Sequence, residues 1–154
     1  MMNQLLIDSP IGPLTLSGEG EYLTALAFGD VRTAGDRPSP VLELAAGQLR
    51  EYFSGGRRQF TVPLAPEGTE FQRRVWAALR EIPYGTAASY KDVAIRLGKP
   101  GAAIAVGQAN SRNPIPVIIP CHRVVGARGQ LVGYTGGLRI KKALLAVEGI
   151  PFRE

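Results

Sequence analysis

Apolar and polar positions alternate in three short runs near the start of the chain, at residues 3–8, 12–17 and 22–28. Side chains two residues apart share one face of a strand, so these runs predict half-buried strands. Ser9-Pro10, Gly18 and Gly29-Asp30 interrupt them, and Asp8-Ser9-Pro10-Ile11-Gly12-Pro13 predicts a tight connection between the first two. Residues 30–40 are polar, contain several Gly and Pro, and predict a loop. From 40 to 53 the period changes. Val41, Leu44, Ala45, Leu49, Tyr52 and Phe53 recur at helical spacing and stop at Gly55-Gly56. A short strand is expected around Gln59–Val62, followed by a Pro- and Gly-containing segment, Pro63–Gly68. That segment is the expected boundary between a domain of residues 1–66 and one of residues 67–154.

Past the boundary the pattern is of short helices. Thr69 with Gln72 three residues on has the form of a capping box. Phe71, Val75, Trp76, Leu79 and Ile82 then make one apolar stripe, ended by Pro83-Tyr84-Gly85. Ser89 is expected to cap a second helix through Leu97, closed by Gly98. The turn Gly98-Lys99-Pro100-Gly101 leads to a third helix, from Ala102 to about Asn110, and the pair fits a helix-turn-helix. Ala102, Ala103, Ala105, Gly107 and Ala109 leave that third helix nearly bare, so another backbone or a groove floor can come close to it. Only Gln108 and Asn110 there are suited to reading base edges. Val117–Ile119 should be buried, and Pro120 fixes the backbone before Cys121. Gly126–Gly137 predicts an ordered loop, and Leu138–Val147 a last amphipathic helix ending at Glu148-Gly149.

Composition narrows the class. The chain has 154 residues, 45% hydrophobic and 20% charged, which suits one compact domain or two small ones. No apolar run approaches the roughly 18 residues that span a bilayer, and the N-terminus lacks a signal-peptide pattern. A cytoplasmic protein without a membrane partner is expected. The formal charge is +5. Residues 1–64 carry five basic and seven acidic side chains, residues 65–154 thirteen and six, so the positive excess lies wholly in the second part. That favours a polyanionic partner there.

The one Cys and the one His are adjacent, Cys121-His122. A single Cys excludes an internal disulfide, and one Cys with one His is too few for a structural zinc site. No metal and no other cofactor is expected. A lone Cys is most often an inert core residue. Here a Pro precedes it, the His follows it, and Arg112, Arg123 and Arg128 are near in sequence. Imidazole and positive charge lower a thiol's pKa, and the thiolate is the nucleophile. An orienter for His122 cannot be picked from thirteen carboxylates on this basis.

Several motifs make the resemblance specific. Phe71-Gln72 with Val75-Trp76, Ile82-Pro83-Tyr84-Gly85, Ser89-Tyr90, Ala105-Val106-Gly107, Asn113-Pro114 and Ile119-Pro120-Cys121-His122-Arg123-Val124 occur in order. Gly133-Tyr134 with Gly136-Gly137, and Leu144-Leu145 with Glu148-Gly149, follow. Together they resemble the methylated-DNA–protein-cysteine methyltransferase family, densely over residues 69–149 and more loosely at Ser9-Pro10-Ile11-Gly12. The resemblance implies an α+β fold: a small mixed N-terminal domain, ribonuclease H-like, and a mostly helical winged helix-turn-helix C-terminal domain. It implies a single-turnover suicide enzyme of DNA repair. Such an enzyme flips O6-alkylguanine from double-stranded DNA through the minor groove and takes the alkyl group onto Cys121, with O4-alkylthymine a further candidate substrate.

By the same resemblance His122 is a base acting through a bound water, Glu148 orients it, and Tyr90 bonds the flipped base. Asn113 steadies the active-site turn, and Val124, Tyr134, Thr135 and Gly136 read the guanine. Ala102, Ala103, Ile104, Ala105, Gly107, Arg112 and Arg123 face DNA. A monomer in solution that clusters along DNA is expected. One departure stands out: Ile104 occupies the place where the family has an Arg that fills the gap left by the flipped base. An apolar wedge can fill that gap but cannot bond the orphaned cytosine. The competing expectations are a non-catalytic lesion sensor that recruits other repair, disfavoured by Cys121, and a helix-turn-helix regulator, disfavoured by the bare third helix.

Overall fold

The computed structural model describes residues 2–134 and 136–154. It is an α+β protein that divides into two compact units, one ending at Glu67 and one beginning at Gly68.

In the first unit β1 (Met2–Ile7), β2 (Leu14–Glu19) and β3 (Tyr22–Phe28) form an antiparallel sheet in that order. The register sets Leu16 opposite both Leu5 and Leu26. Leu14, Leu16, Leu23 and Leu26 are buried, and helix α1 (Pro40–Phe53) packs on the sheet through Leu42, Ala45, Ala46, Leu49 and Tyr52. Each such Leu contributes about 1.5–3 kcal/mol by leaving water. Leu44, expected in the apolar stripe, is 44% exposed, while Leu42 lies inside. The other face of β2 is covered as well. Thr15 donates to Gly29 O, Gln4 bonds Ser17 and Thr33, and Asp36 accepts from Leu6 N, so the 30–40 loop lies back over β1 and β2.

The strand expected at 59–62 does not form. Thr61 gives its N–H to the Gln48 side chain, and Pro63 has no N–H to give, so the segment cannot sustain a ladder. It meets β3 in one place only, where Leu23 N donates to Pro63 O and Ala65 N to Leu23 O.

The second unit begins with α2 (Glu70–Leu79), whose Thr69–Gln72 capping box is complete, at 3.1 and 2.9 Å. Val75, Trp76, Leu79 and Ile82 face inward. Next come β4 (Ala88–Ser89) and α3 (Tyr90–Arg96), the latter with a Ser89–Asp92 capping box. Gly98, at φ +74°, turns the chain into α4 (Ala103–Ser111), completing the helix-turn-helix. Trp76 fastens α2 to α4 by donating its indole N–H to Ala109 O at 2.9 Å. A single 3-10 turn, Cys121–Arg123, leads into β5 (Val124–Val125), which pairs in parallel with β4. The last helix, α5 (Leu138–Glu148), stops at Gly149 in the left-handed conformation. No helix of the described residues is long and apolar enough to cross a membrane.

Gly68 packs where no side chain fits: a Cβ there would lie 2.4 and 2.6 Å from the Trp76 ring. Gly68→Ala is therefore expected to destabilise the protein by about 1–3 kcal/mol. Denaturant unfolding followed by the fluorescence of Trp76, the only tryptophan, measures it. An unchanged midpoint contradicts the packing argument.

Candidate active site

The segment before Cys121 is a tight, strained turn. Val117 has φ +74°, a conformation that a β-branched residue adopts only at a cost of order 1–3 kcal/mol. Asn113 holds the turn in place. Buried, it donates Nδ2–H to Ile119 O at 2.8 Å and accepts Ile115 N–H at 2.9 Å. Ile119 N also donates to Ile115 O. Apolar Ile115, Val117, Ile118 and Ile119 bury the whole segment, so the following Cys121 has little freedom.

The 3-10 turn sends His122 and Arg123 inward onto one carboxylate. His122 Nε2 lies 2.6 Å from Glu148 Oε2. Arg123 donates from Nε to Oε1 at 2.8 Å and from Nη2 to Oε2 at 3.2 Å, and Gly85 N donates to Oε1 at 3.1 Å. A carboxylate only accepts, so Nε2 carries the imidazole proton and Nδ1 keeps its lone pair. Nδ1 is buried with no hydrogen-bond partner among the described residues. Burial holds the His122 pKa below its usual 6.5, while the bond to Glu148 pulls the other way, so the ring is neutral near pH 7.

Cys121 is 1% exposed, and burial pushes its thiol pKa up. Asn113, Tyr134 and Lys141 act in the opposite direction without overcoming it. The expected cationic niche is thus corrected. Arg123, which was also expected on the DNA face, is buried and spends its donors on Glu148 and on Ile82 O. Arg112 and Arg128 are exposed. The cation that acts on the sulfur is Lys141, fully buried on α5.

A cleft of about 700 Å³ opens in the second unit. Ala103, Ile104, Gly107 and Gln108 of α4 form one side, Tyr90 of α3 and the Val132–Tyr134 segment the others. Cys121 does not line it, but two of the lining residues interact with it: Tyr134 acts on the sulfur by hydrogen bonding, and the charge of the sulfur acts on Tyr90. Burial first, then the nearby Cys121, raises the Tyr90 pKa above 10, so the phenol keeps its proton at neutral pH. The ring packs against α4 at Gly107, where a Cβ would meet it at an ordinary van der Waals distance of 3.6 Å. Ile104 is 81% exposed at the cleft edge.

Of the other expected site residues, Val124 is buried in β5 and Gly136 is half-buried. Ala102 is the N-cap of α4 and offers no side-chain cap; Ala105 is half-buried on the same helix. Thr135 lies outside the described residues. Asn110, a candidate base reader, is buried and donates to Cys121 O at 3.4 Å, so it supports the Cys121 backbone and cannot read DNA. Among the described residues no group of three or more His, Cys, Asp or Glu could hold a metal.

Two results follow from the buried cluster. Glu148→Ala leaves the Arg123 charge unpaired and is expected to cost about 3–5 kcal/mol, measured by denaturant unfolding. The second concerns pH. Because the folded pKa of His122 lies below 6.5, the unfolded chain takes up the proton first on acidification. Stability from the neutral ring is complete above about pH 6.5 and falls as pH drops toward the folded pKa. Thermal unfolding from pH 8 to 5 should show that decline, and His122→Gln should flatten it; an equal slope in both proteins contradicts the assignment.

Comparison with known proteins agrees with this geometry. Residues 2–66 match the family model "6-O-methylguanine DNA methyltransferase, ribonuclease-like domain", and residues 70–150 match "6-O-methylguanine DNA methyltransferase, DNA binding domain". A relative from Methanosarcina acetivorans, a methylated-DNA–protein-cysteine methyltransferase, is 47% identical, covering 96% of this chain and 99% of its own. The Mycobacterium tuberculosis OGT structure in complex with DNA superposes with a TM-score of 0.86 at 49% identity, over 95% and 92% of the two chains. S. pombe Atl1, solved with damaged DNA containing O6-carboxymethylguanine, matches 55% of this chain and 81% of its own, with a TM-score of 0.50 and 33% identity. The chain therefore belongs to the 6-O-methylguanine DNA methyltransferase family, across both of its domains.

Proposed function

We propose that this protein repairs DNA by moving the alkyl group of an O6-alkylguanine irreversibly onto the sulfur of Cys121. The observation that carries the proposal is Cys121 next to a Glu148-oriented imidazole, with a cleft of about 700 Å³ whose lining residues Tyr90 and Tyr134 both interact with the sulfur. A resting thiol pKa raised by burial makes a proton acceptor necessary. His122 Nδ1 has the lone pair for it, and a water bridging Nδ1 and the sulfur would satisfy both. Glu148 then stabilises the imidazolium that forms.

The step itself is a displacement at saturated carbon. The sulfur lone pair forms the S–C bond while the C–O6 bond breaks and its electrons pass to the guanine. Tyr90, protonated at neutral pH, donates to the departing base, so guanine leaves neutral. A thioether has no leaving group that His122 could expel, and each molecule acts once. The residues present supply acid, base and nucleophile, so the chemistry calls for no cofactor.

Double-stranded DNA is the partner in this reading, with the alkylated guanine turned out of the stack into the cleft. Several features support α4 as the contacting helix. Ala103, Ala105 and Gly107 are half-buried and small, its N-terminus has no side-chain cap, and Ile104 projects from the cleft edge. With Arg123 internal, Arg112 remains as a phosphate contact. Tyr134 and Gly136 would read the guanine edge, whereas Val124, also expected there, is buried with its carbonyl engaged by Lys141. The sensor reading is weaker, since it leaves the strained turn and the oriented His122 without a task.

A duplex with one O6-methylguanine tests the proposal. Mass spectrometry should find one added methylene on the Cys121 peptide, and Cys121→Ala should abolish it. An unmodified protein that still retards the duplex would show a sensor instead. Ile104→Arg is expected to tighten binding to that duplex about tenfold, roughly 1.4 kcal/mol, and to speed single-turnover transfer. If affinity and rate both stay unchanged, Ile104 is not the wedge.

A further inference from the structure

Lys141 is a lysine where the pattern calls for an apolar residue. Together with Leu144, Leu145 and Glu148 it occupies the inward stripe of α5, and it is 0% exposed. Its ammonium donates to Val124 O at 2.8 Å and to Val132 O at 3.1 Å. Val124 directly follows the turn that carries Cys121, and Val132 lines the cleft. One side chain thus joins the nucleophile's turn to the cleft wall. No carboxylate pairs with Lys141 among the described residues. Two carbonyl dipoles offset part of the charge, and a buried ammonium without an anion costs several kcal/mol.

We infer that Lys141 is a positioning residue for alkyl transfer: its ammonium ties the Cys121 turn to the cleft wall and is the buried positive charge against which the thiolate forms. This rests on the alkyl-transfer reading. The titratable groups around the pair are His122 on the 3-10 turn, Tyr90 on α3, Tyr134 on the cleft wall and Glu148 on α5. Glu148 is already engaged by His122 and Arg123, and His122 is neutral near pH 7. That leaves the sulfur as the anion able to answer the ammonium. Burial lowers the Lys141 pKa to about 8, and Cys121 is the charge that holds it up. Lys141 in turn acts to lower the Cys121 pKa. Once the sulfur becomes a thioether it can form no anion, and Lys141 loses its counter-charge.

The rate at which iodoacetamide modifies Cys121, measured against pH, reads the thiolate without any DNA. In Lys141→Met the midpoint should rise by about one unit or more, which lowers the rate near pH 7 about tenfold. Lys141→Arg, which keeps the charge, should bring it back toward the wild type. A rate lowered equally at every pH, with the midpoint unmoved, overturns the inference, because a purely structural lysine would behave that way. Should Lys141→Met fail to fold, the wild-type protein carries the test. Titration of its 13Cε-labelled lysines by NMR before and after carbamidomethylation of Cys121 should show the midpoint near 8 fall, and an unmoved midpoint overturns the inference. A shifted iodoacetamide profile with no methyl gained from DNA supports the Lys141 role while refuting the repair function.

Discussion

Nitrogens of three residues converge on the buried carboxylate of Glu148: His122, Arg123 through two nitrogens, and the Gly85 amide. Removing a carboxylate from water costs several kcal/mol unless partners replace the lost hydration. Glu148 also ends α5, where the helix dipole disfavours an anion. The carboxylate is therefore tolerable only when the 82–85 turn, the 3-10 turn and α5 have docked together. Tyr84 adds to the docking by donating to Val147 O. The motifs around Pro83 and around Cys121 are far apart in the chain, and this one anion makes them interdependent.

That dependence explains why the turn before Cys121 can be held under strain. The unfavourable backbone at Val117 persists because Asn113 and four buried apolar residues determine the turn from one side, and the Glu148 cluster from the other. The sulfur sits between these two anchors. In the resting protein its pKa is raised, so the reactive thiolate is scarce. In the proposed mechanism the acceptor nitrogen of His122 and the charge of Lys141 would supply the reactivity.

Much of the fold was legible where local chemistry decides. The Thr69–Gln72 capping box, the Gly98 turn and the Gly149 stop are each set by a few neighbouring residues, and they lie where their spacing places them. The expected strand at 59–62 was lost to a distant side chain, Gln48, that no local pattern reveals. Leu44 followed helical spacing yet faces solvent, because α1 is oriented by its contact with the sheet. The Cys-His pair and the carboxylate that orients it were legible through family resemblance; the residues alone left thirteen carboxylates equal.

From the order of amino acids alone come the two-part division of charge, the helix-turn-helix, the single nucleophile and its adjacent imidazole. These follow from composition and from interactions within a few residues. Tertiary structure decided where the charges went. Arg123 has the look of a surface cation, and it is buried because Glu148 is there to receive it. Lys141 and Glu148 fall on the core stripe of one helix, a signal present in the periodicity, but periodicity does not say what answers a buried charge. Their partners lie 9 to 63 residues away along the chain, and electrostatic pairing at that separation exists only once the chain has folded.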